Sequence, residues 1–118
     1  MTLKIKKLNE NAIIPKRATS GSAGYDLSAC LAEPIEIKPG EIKKISTGIS
    51  CELVSDIDAV LLIYARSSLA TKHGITLANC VGVVDSDYRG EILVAMINHS
   101  TEPYTITHGE RIAQLVIT

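Results

Sequence analysis

Residues 81–98 read VGVVDSDYRGEILVAMIN, two apolar stretches joined by a short polar turn. Residues 81–84 form an apolar run and residues 91–98 alternate between apolar and polar, so both are predicted strands. The turn between them holds two carboxylates, a tyrosine and an arginine: Asp85, Asp87, Tyr88 and Arg89. Flanking strands hold such side chains in fixed positions, which makes the turn a candidate place for chemistry.

The rest of the chain repeats this pattern of short strands and turns. Further strands are predicted at residues 3–8, 35–37, 42–46, 49–53, 59–64, 104–106 and 111–117, with turn signals at Lys38-Pro39-Gly40-Glu41 and His108-Gly109. One segment differs, because residues 67–74 start with a serine N-cap candidate, continue with helix formers and end in a glycine. We therefore predict a single all-β domain over residues 1–118, a sandwich or barrel with one short helix near residues 67–73.

Composition narrows the function classes. The chain is 46% hydrophobic without any Phe or Trp, which predicts an aliphatic core of sheet packed against sheet. A net charge of −1 argues against a binder of nucleic acid or of membrane surfaces, and no apolar run approaches the roughly 18 residues of a membrane span. Cys30, Cys51 and Cys80 are odd in number and lack CxxC spacing, which predicts reduced thiols in a cytoplasmic protein.

Three features could converge on one site, and each has an ordinary structural alternative. Arg66-Ser67-Ser68 at the helix start could bind an anion, or could be a plain N-cap beside a surface arginine. Asp85 and Asp87 could act on a substrate, or could accept hydrogen bonds from the backbone of their own turn. Gln114 lies in an apolar strand and points either to solvent or to a ligand.

Four segments together resemble the motifs of the homotrimeric deoxyuridine triphosphatase (dUTPase) family. They occur in the family's order and with similar spacing: AGYDLSA at residues 23–29, ARSSLA at 65–70, the segment from Asn79 to Gly90, and GERIAQ at 109–114. The resemblance implies a distorted, jelly-roll-like β subunit that assembles as a homotrimer with three active sites shared between subunits. It also implies hydrolysis of dUTP to dUMP and diphosphate, which keeps uracil out of DNA and supplies dUMP for thymidylate synthesis.

The resemblance also implies roles for individual residues. Asp85 matches the carboxylate that activates the attacking water for in-line displacement, and Tyr88 matches the ring beneath the deoxyribose. Asn79 matches the uracil reader, together with backbone groups of residues 79–84 that include Gly82 and Val84. The positions that match phosphate-binding or supporting residues are Arg66, Ser67, Ser68, Gln114, Asp26 and Arg111. Mg²⁺ is expected on the triphosphate and its waters, with no direct protein ligand.

The sequence also leaves competing interpretations. A dCTP deaminase shares the implied fold, but its relatives usually carry a Pro-Gly-aromatic sequence after the central aspartate, where this chain has Ser86-Asp87-Tyr88. A non-catalytic nucleotide-binding or regulatory relative is the other alternative. The family's fifth motif, a glycine-rich C-terminal arm, does not follow motif four before the chain ends at Thr118, so we expect weak nucleotide binding and low turnover from these 118 residues.

Overall fold

The computed structural model describes residues 1–118 and contains eleven strands and one helix. In chain order they are β1 (Thr2–Lys7), β2 (Tyr25–Ser28), β3 (Ile35–Ile37), β4 (Ile42–Ser46), β5 (Ile49–Val54), β6 (Leu61–Ala65), α1 (Ser67–His73), β7 (Ile75–Leu77), β8 (Gly82–Val84), β9 (Leu93–Asn98), β10 (Tyr104–Ile106) and β11 (Arg111–Ile117). The all-β prediction with one short helix is confirmed.

The sequence pattern gave the bounds of β3, β4, β10 and β11, and missed two strands. β2 is only four residues long and contains Asp26 and Ser28, both poor strand formers, yet it pairs with β11. β7 follows Gly74 at the end of the helix without a turn between them, and is held by pairing with β9. Both strands exist because a partner strand supplies their hydrogen bonds, which is information that lies elsewhere in the chain.

The strands form four antiparallel sheets. A four-stranded sheet has the order β2-β11-β6-β8, and a three-stranded sheet has the order β4-β9-β7. Two strand pairs, β1-β5 and β10-β3, complete the structure. In the four-stranded sheet, Leu61 at the start of β6 pairs with Val84, and Ala65 at its end pairs with Ala113.

The core between the sheets is aliphatic, as the composition predicts. Twenty buried residues form one cluster without a Phe, Tyr or Trp side chain. Its fully buried large members come from most of the strands: Leu27, Ile37, Ile45, Ile49, Ile75, Met96, Ile106, Ile112 and Leu115. Each such side chain contributes on the order of 1.5–3 kcal/mol by leaving water, so the cluster is the main stabilising element of a chain this small.

Helix α1 corrects one prediction and confirms another. The N-cap is Arg66 in an extended conformation, and no side chain caps the helix, so the predicted serine cap is wrong. Ser67 is already the first helical residue because β6 continues in an extended conformation through Arg66. Gly74 ends the helix in the left-handed region (φ 68°), as the sequence predicts.

Two further observations bear on the sequence predictions. All three cysteines are free thiols in the structure, with Cys30 and Cys51 buried and Cys80 exposed. No helix in the structure has the length and apolar character needed to cross a membrane.

Asn98 is a fully buried polar residue at the end of β9. Its Nδ2 donates to the carbonyl oxygens of Ile37 (2.8 Å) and Glu102 (2.7 Å). Its Oδ1 accepts from the backbone N–H (2.8 Å) and the hydroxyl (2.7 Å) of Ser100. One side chain therefore joins β3, β9 and the turn that leads into β10.

We expect Asn98→Ala to lower the free energy of unfolding by about 2–4 kcal/mol, because each buried carbonyl left without a donor costs about 1–3 kcal/mol. Urea unfolding followed by circular dichroism at one fixed protein concentration measures the difference. Asn9→Ala is the matched control, since Asn9 is exposed and accepts one turn hydrogen bond. Equal losses in the two variants would contradict the role given to Asn98.

Tyr104 links the end of α1 to the turn before β11. Its ring packs against His73 with centroids 4.9 Å apart, and its hydroxyl donates to the carboxylate of Glu110. The same carboxylate accepts from the backbone N–H of Thr107 at 3.2 Å. Burial, followed by this hydrogen bond and the negative charge of Glu110, raises the pKa of Tyr104 from 10.0 to about 12.

The raised pKa of Tyr104 predicts a stability loss in alkali. Below pH 10 the hydroxyl is protonated in both the folded and the unfolded chain, so its contribution is fully present. Between pH 10 and about 12 the unfolded chain loses this proton first, so stability falls as the pH rises. We expect the urea midpoint of the wild type to fall more steeply over this interval than that of Tyr104→Phe, and parallel curves would contradict the assignment.

Candidate active site

The turn after β8 forms one wall of a cavity. Five of the predicted site residues line this cavity of about 330 Å³, which we call the turn cavity: Asn79, Gly82, Val84, Asp85 and Tyr88. Ile63, Val83, Glu91, Ile92 and Leu93 complete its lining. The chain therefore brings the residues matched to base, sugar and attacking water into one place.

The floor of the turn cavity depends on close packing between β8 and β6. Gly82 pairs with Ile63, and a Cβ atom at position 82 would lie 3.1 Å from the Ile63 Cβ. The tight turn before β8 is closed by the N–H of Val81, which donates to the Asn79 carbonyl oxygen at 2.7 Å. Asn79 itself is exposed at the mouth of the cavity. The absence of a side chain at Gly82 therefore allows β8 to pack closely against β6.

Asp85 is exposed, and its backbone closes the turn. The N–H of Tyr88 donates to the Asp85 carbonyl oxygen at 3.0 Å, and the carboxylate of Asp85 accepts no hydrogen bond within the chain. The alternative in which the two aspartates serve as acceptors for their own turn is therefore wrong. The turn is held instead by Arg89, which donates to the carbonyl oxygens of Ser86 and Tyr88 and forms an ion pair with Glu52 at 3.5 Å.

Tyr88 presents its ring to the turn cavity and keeps its hydroxyl within the chain. The residue is 43% exposed, and its hydroxyl donates to the Glu91 carbonyl oxygen at 2.6 Å. The ring lies directly over Gly90, where an added Cβ would be 2.6 Å from the Tyr88 hydroxyl oxygen. The sequence analysis singled out Tyr88, but it gave no role to the two residues that hold its ring, Gly90 and Glu91. Their only signal was their position two and three residues after Tyr88.

A second group of predicted residues lies where β6 ends. Arg66 donates to the Arg111 carbonyl oxygen at 3.1 Å, and Arg111 pairs with Asp26 at 3.5 Å. Gln114 is half-buried and donates to the Ala65 carbonyl oxygen at 3.1 Å, so its side chain is fixed against β6 rather than pointing freely to solvent. Ser67 and Ser68 form the first turn of α1 beside Arg66. We call these six residues, Asp26, Arg66, Ser67, Ser68, Arg111 and Gln114, the basic cluster.

Asp85 and the basic cluster lie at opposite ends of β6. Leu61 pairs with Val84, directly before Asp85, whereas Arg66 follows the last residue of the strand. Continuing this register by one residue would place Asp85 opposite Val60, six residue steps of about 3.3 Å from Arg66, which is about 20 Å along the strand. Within one chain, therefore, Asp85 and Arg66 cannot contact the same phosphate group.

The residues present fit magnesium held by a substrate better than magnesium in a protein cage. No three His, Cys, Asp or Glu side chains of the chain are grouped as they would be around a metal ion. Mg²⁺ commonly keeps several waters and binds through phosphate oxygens with one or two carboxylates nearby. Asp26, at the edge of the basic cluster, is the carboxylate that could meet such a hydrated ion.

Comparison with known proteins gives consistent matches. A dUTPase family model matches residues 10–118. The deoxyuridine 5'-triphosphate nucleotidohydrolase of Hahella chejuensis is 50% identical over 112 residues, which cover 95% of this chain and 73% of that protein. The enzyme of the same name from Nautilia profundicola is 52% identical over 117 residues, covering 99% and 80% of the two chains.

Solved structures agree with the sequence matches. A variant of the Staphylococcus bacteriophage 80alpha dUTPase with dUpNHpp superposes with a TM-score of 0.86 at 26% identity, covering 99% of this chain and 89% of that one. A variant of the dUTPase of S. aureus phage phi11, described with a structural Mg(II) ion, gives 0.88 at 25% identity, covering 100% and 90%. The jelly-roll-like fold is thereby confirmed, and the chain belongs to the dUTPase family.

Proposed function

We propose that the chain hydrolyses dUTP to dUMP and diphosphate, with the nucleoside in the turn cavity. The observation that carries this proposal is the meeting of Asn79, Asp85 and Tyr88 around one cavity at the end of β8. Asn79 supplies an amide that can recognise a base, Asp85 supplies a carboxylate, and Tyr88 supplies a ring of the size of a sugar. The alternative of a dCTP deaminase finds no support, because the relatives at about 50% identity are named as triphosphate nucleotidohydrolases.

Asp85 is the group that acts on water in this proposal. Its carboxylate is exposed to the cavity and has no hydrogen-bond partner within the chain, so its oxygens are available to orient a water and to take its proton. The attacking oxygen then bonds to phosphorus while the bond to the diphosphate leaving group breaks, in line with the attack. A well-placed general base contributes about 10²–10⁴-fold, and positioning of water and phosphate supplies much of the rest.

Tyr88 and the backbone of β8 select the nucleoside. The half-exposed ring offers an apolar face on which a deoxyribose can pack, and a 2'-hydroxyl would meet that face. The Asn79 amide and the backbone groups near Gly82 and Val84 offer donors and acceptors to the edge of a uracil. A site that pairs its polar groups with one base rejects others, because those groups would be left unpaired.

The basic cluster is suited to the triphosphate and its magnesium. Arg66 and Arg111 carry fixed positive charge, and Ser67 and Ser68 add hydroxyls at the uncapped first turn of α1. Magnesium bound to the phosphates would neutralise charge on them as the leaving group departs. Gln114 and Asp26 lie beside these cations, because Gln114 donates to the Ala65 carbonyl oxygen and Asp26 pairs with Arg111.

A homotrimer with shared active sites reconciles the two groups of residues. Because Asp85 and Arg66 are about 20 Å apart in one chain, one nucleotide can engage both only if they come from different subunits. The turn cavity of one subunit would then face the basic cluster of its neighbour. The exposed apolar side chains of Val83 and Leu93 beside the turn cavity are suited to burial in such an assembly. Three free thiols support a cytoplasmic location.

Asp85→Ala should reduce the rate of diphosphate release from dUTP by about 10²–10⁴-fold, because the water loses its base. The assay compares dUTP with dCTP, and it follows both diphosphate and ammonia. Asp87→Ala is the matched control: it removes a carboxylate two residues away, outside the lining of the turn cavity, and should retain most of the activity. Ammonia release from dCTP, or full activity of Asp85→Ala, would overturn the proposed function.

Mixing two inactive variants tests the shared site. Asp85→Ala keeps the basic cluster and Arg66→Ala keeps the turn cavity, so mixed trimers can rebuild intact sites at some of their boundaries. Each site needs one particular subunit on either side, so every mixed trimer should contain one intact site, which is about a third of the sites once homotrimers have been removed. The variants are co-expressed with different tags and purified through both tags. Mixed trimers that are as inactive as the separate variants would show that the site is not divided in this way.

A further inference from the structure

We propose that Glu91 is a positioning residue that fixes the ring of Tyr88 and thereby sets the preference for a 2'-deoxy sugar. The proposal rests on the function proposed above, in which the Tyr88 ring packs against the sugar. Glu91 is not one of the motif residues that were matched to substrate contacts.

The first contact joins the ring to the backbone of Glu91. The Tyr88 hydroxyl donates to the Glu91 carbonyl oxygen at 2.6 Å. A tyrosine that is 43% exposed on a turn would otherwise move between rotamers, because solvent on one side does not restrain it. The position of the ring is therefore set by the position of the Glu91 carbonyl group.

The second contact holds the side chain of Glu91. Its Oε2 accepts from the hydroxyl of Ser46 and from the backbone N–H of Gly48, the latter at 2.9 Å. Ser46 is the last residue of β4 and Gly48 lies in the turn before β5, so both donors are more than forty residues away in the sequence. A carboxylate with two donors is a strong anchor, because hydrogen bonds to a charged acceptor exceed neutral ones in strength.

The same turn also holds the next residue. The Thr47 hydroxyl donates to the Ile92 carbonyl oxygen at 2.6 Å, and the Ile92 N–H donates to the Ile49 carbonyl oxygen at 2.9 Å. Thr47 is 1% exposed and Ile92 is 2% exposed, so these bonds lie in the core. The peptide between Glu91 and Ile92, which carries the acceptor for Tyr88, is thus fixed on both sides.

Two glycines make this arrangement sterically possible. Gly48 has a φ of 69°, and a Cβ there would lie 3.0 Å from both the Ala12 Cβ and the Cys30 Sγ. Gly90 lies beneath Tyr88, where a Cβ would come within 2.6 Å of the hydroxyl oxygen. The turn that holds Glu91 and the space that the ring occupies therefore both depend on the absence of a side chain.

A fixed ring rejects a ribose more strongly than a mobile ring does. If the Tyr88 ring cannot move away, an added 2'-hydroxyl meets it and binding is lost; if the ring can move, the clash is relieved. Weakening the contacts of Glu91 should therefore change kcat/KM for UTP and kcat/KM for dUTP by different factors. The quantity that reports this is the ratio of kcat/KM for dUTP to kcat/KM for UTP, which a general loss of stability would not change.

The experiment compares this ratio in Glu91→Ala and Glu91→Gln. Glu91→Ala removes the acceptor for Ser46 and Gly48, and we expect the ratio to fall about tenfold. Glu91→Gln keeps a carbonyl oxygen in the same place and should retain most of the ratio. Glu52→Gln is the matched control, because it removes the ion pair to Arg89 in the same turn without touching the Tyr88 hydroxyl. Should Glu91→Ala fail to fold, Ser46→Ala, which removes one of the two donors, is expected to lower the ratio about threefold.

Tyr88→Phe and Gly90→Ala test the contact itself. Both should lower the ratio in the same direction, the first by removing the donor and the second by displacing the ring. An unchanged ratio in Glu91→Ala, or an equal fall in Glu52→Gln, would overturn the role of Glu91.

Binding of dUMP and UMP by calorimetry separates this inference from the proposed function. If the wild type does not hydrolyse dUTP, the proposed function fails, and the inference is then judged by whether the preference for dUMP over UMP falls in Glu91→Ala. A preference that stays unchanged overturns it, and so does a wild type that binds neither nucleotide.

Discussion

The pairing of β6 with β8 on one side and β11 on the other is the constraint on which the site depends. Because Leu61 pairs with Val84, the turn that contains Asp85 lies at one end of β6. Because Ala65 pairs with Ala113, Arg66 and Gln114 lie at the other end. A shift of one residue in either register would turn every side chain of the strand to the opposite face. The buried side chains of Leu61, Ile63 and Leu115 oppose such a shift, since it would expose them to water. The aliphatic core therefore fixes the positions of the polar residues as well as the fold.

In the proposed homotrimer, the same pairing divides the active site between subunits. Neither end of β6 carries both kinds of group that phosphoryl chemistry needs: Asp85 and Tyr88 lie at one end, and the basic cluster with its positive charge lies at the other. A short strand can hold each group rigidly, yet it keeps them about 20 Å apart. Burial of the exposed apolar residues near the turn cavity, Val83 and Leu93, would then complete the site and stabilise the trimer through the same contact.

The sequence predicts most of the strands and several residues that line the turn cavity, because these depend on local patterns. Alternation gives β9, an apolar run gives β11, and a dense polar turn between strands identifies Asp85 and Tyr88. What it misses depends on contacts far apart in the chain. β2 and β7 are strands only because β11 and β9 pair with them. The serine cap fails because β6 keeps Arg66 extended, which moves the start of α1 by one residue.

Glu91 illustrates why the support of a site is harder to read from a sequence than the site itself. Residues that contact a substrate must carry a particular chemistry, so their types stand out. A residue that supports them needs only an acceptor in the right place, and here the place is defined by a turn more than forty residues away. The glycines at positions 48 and 90 carry no functional group, yet each leaves the space that one contact requires. Selectivity for a sugar can therefore depend on a backbone carbonyl group whose position is set by the packing of β4 and β5 against the segment before β9.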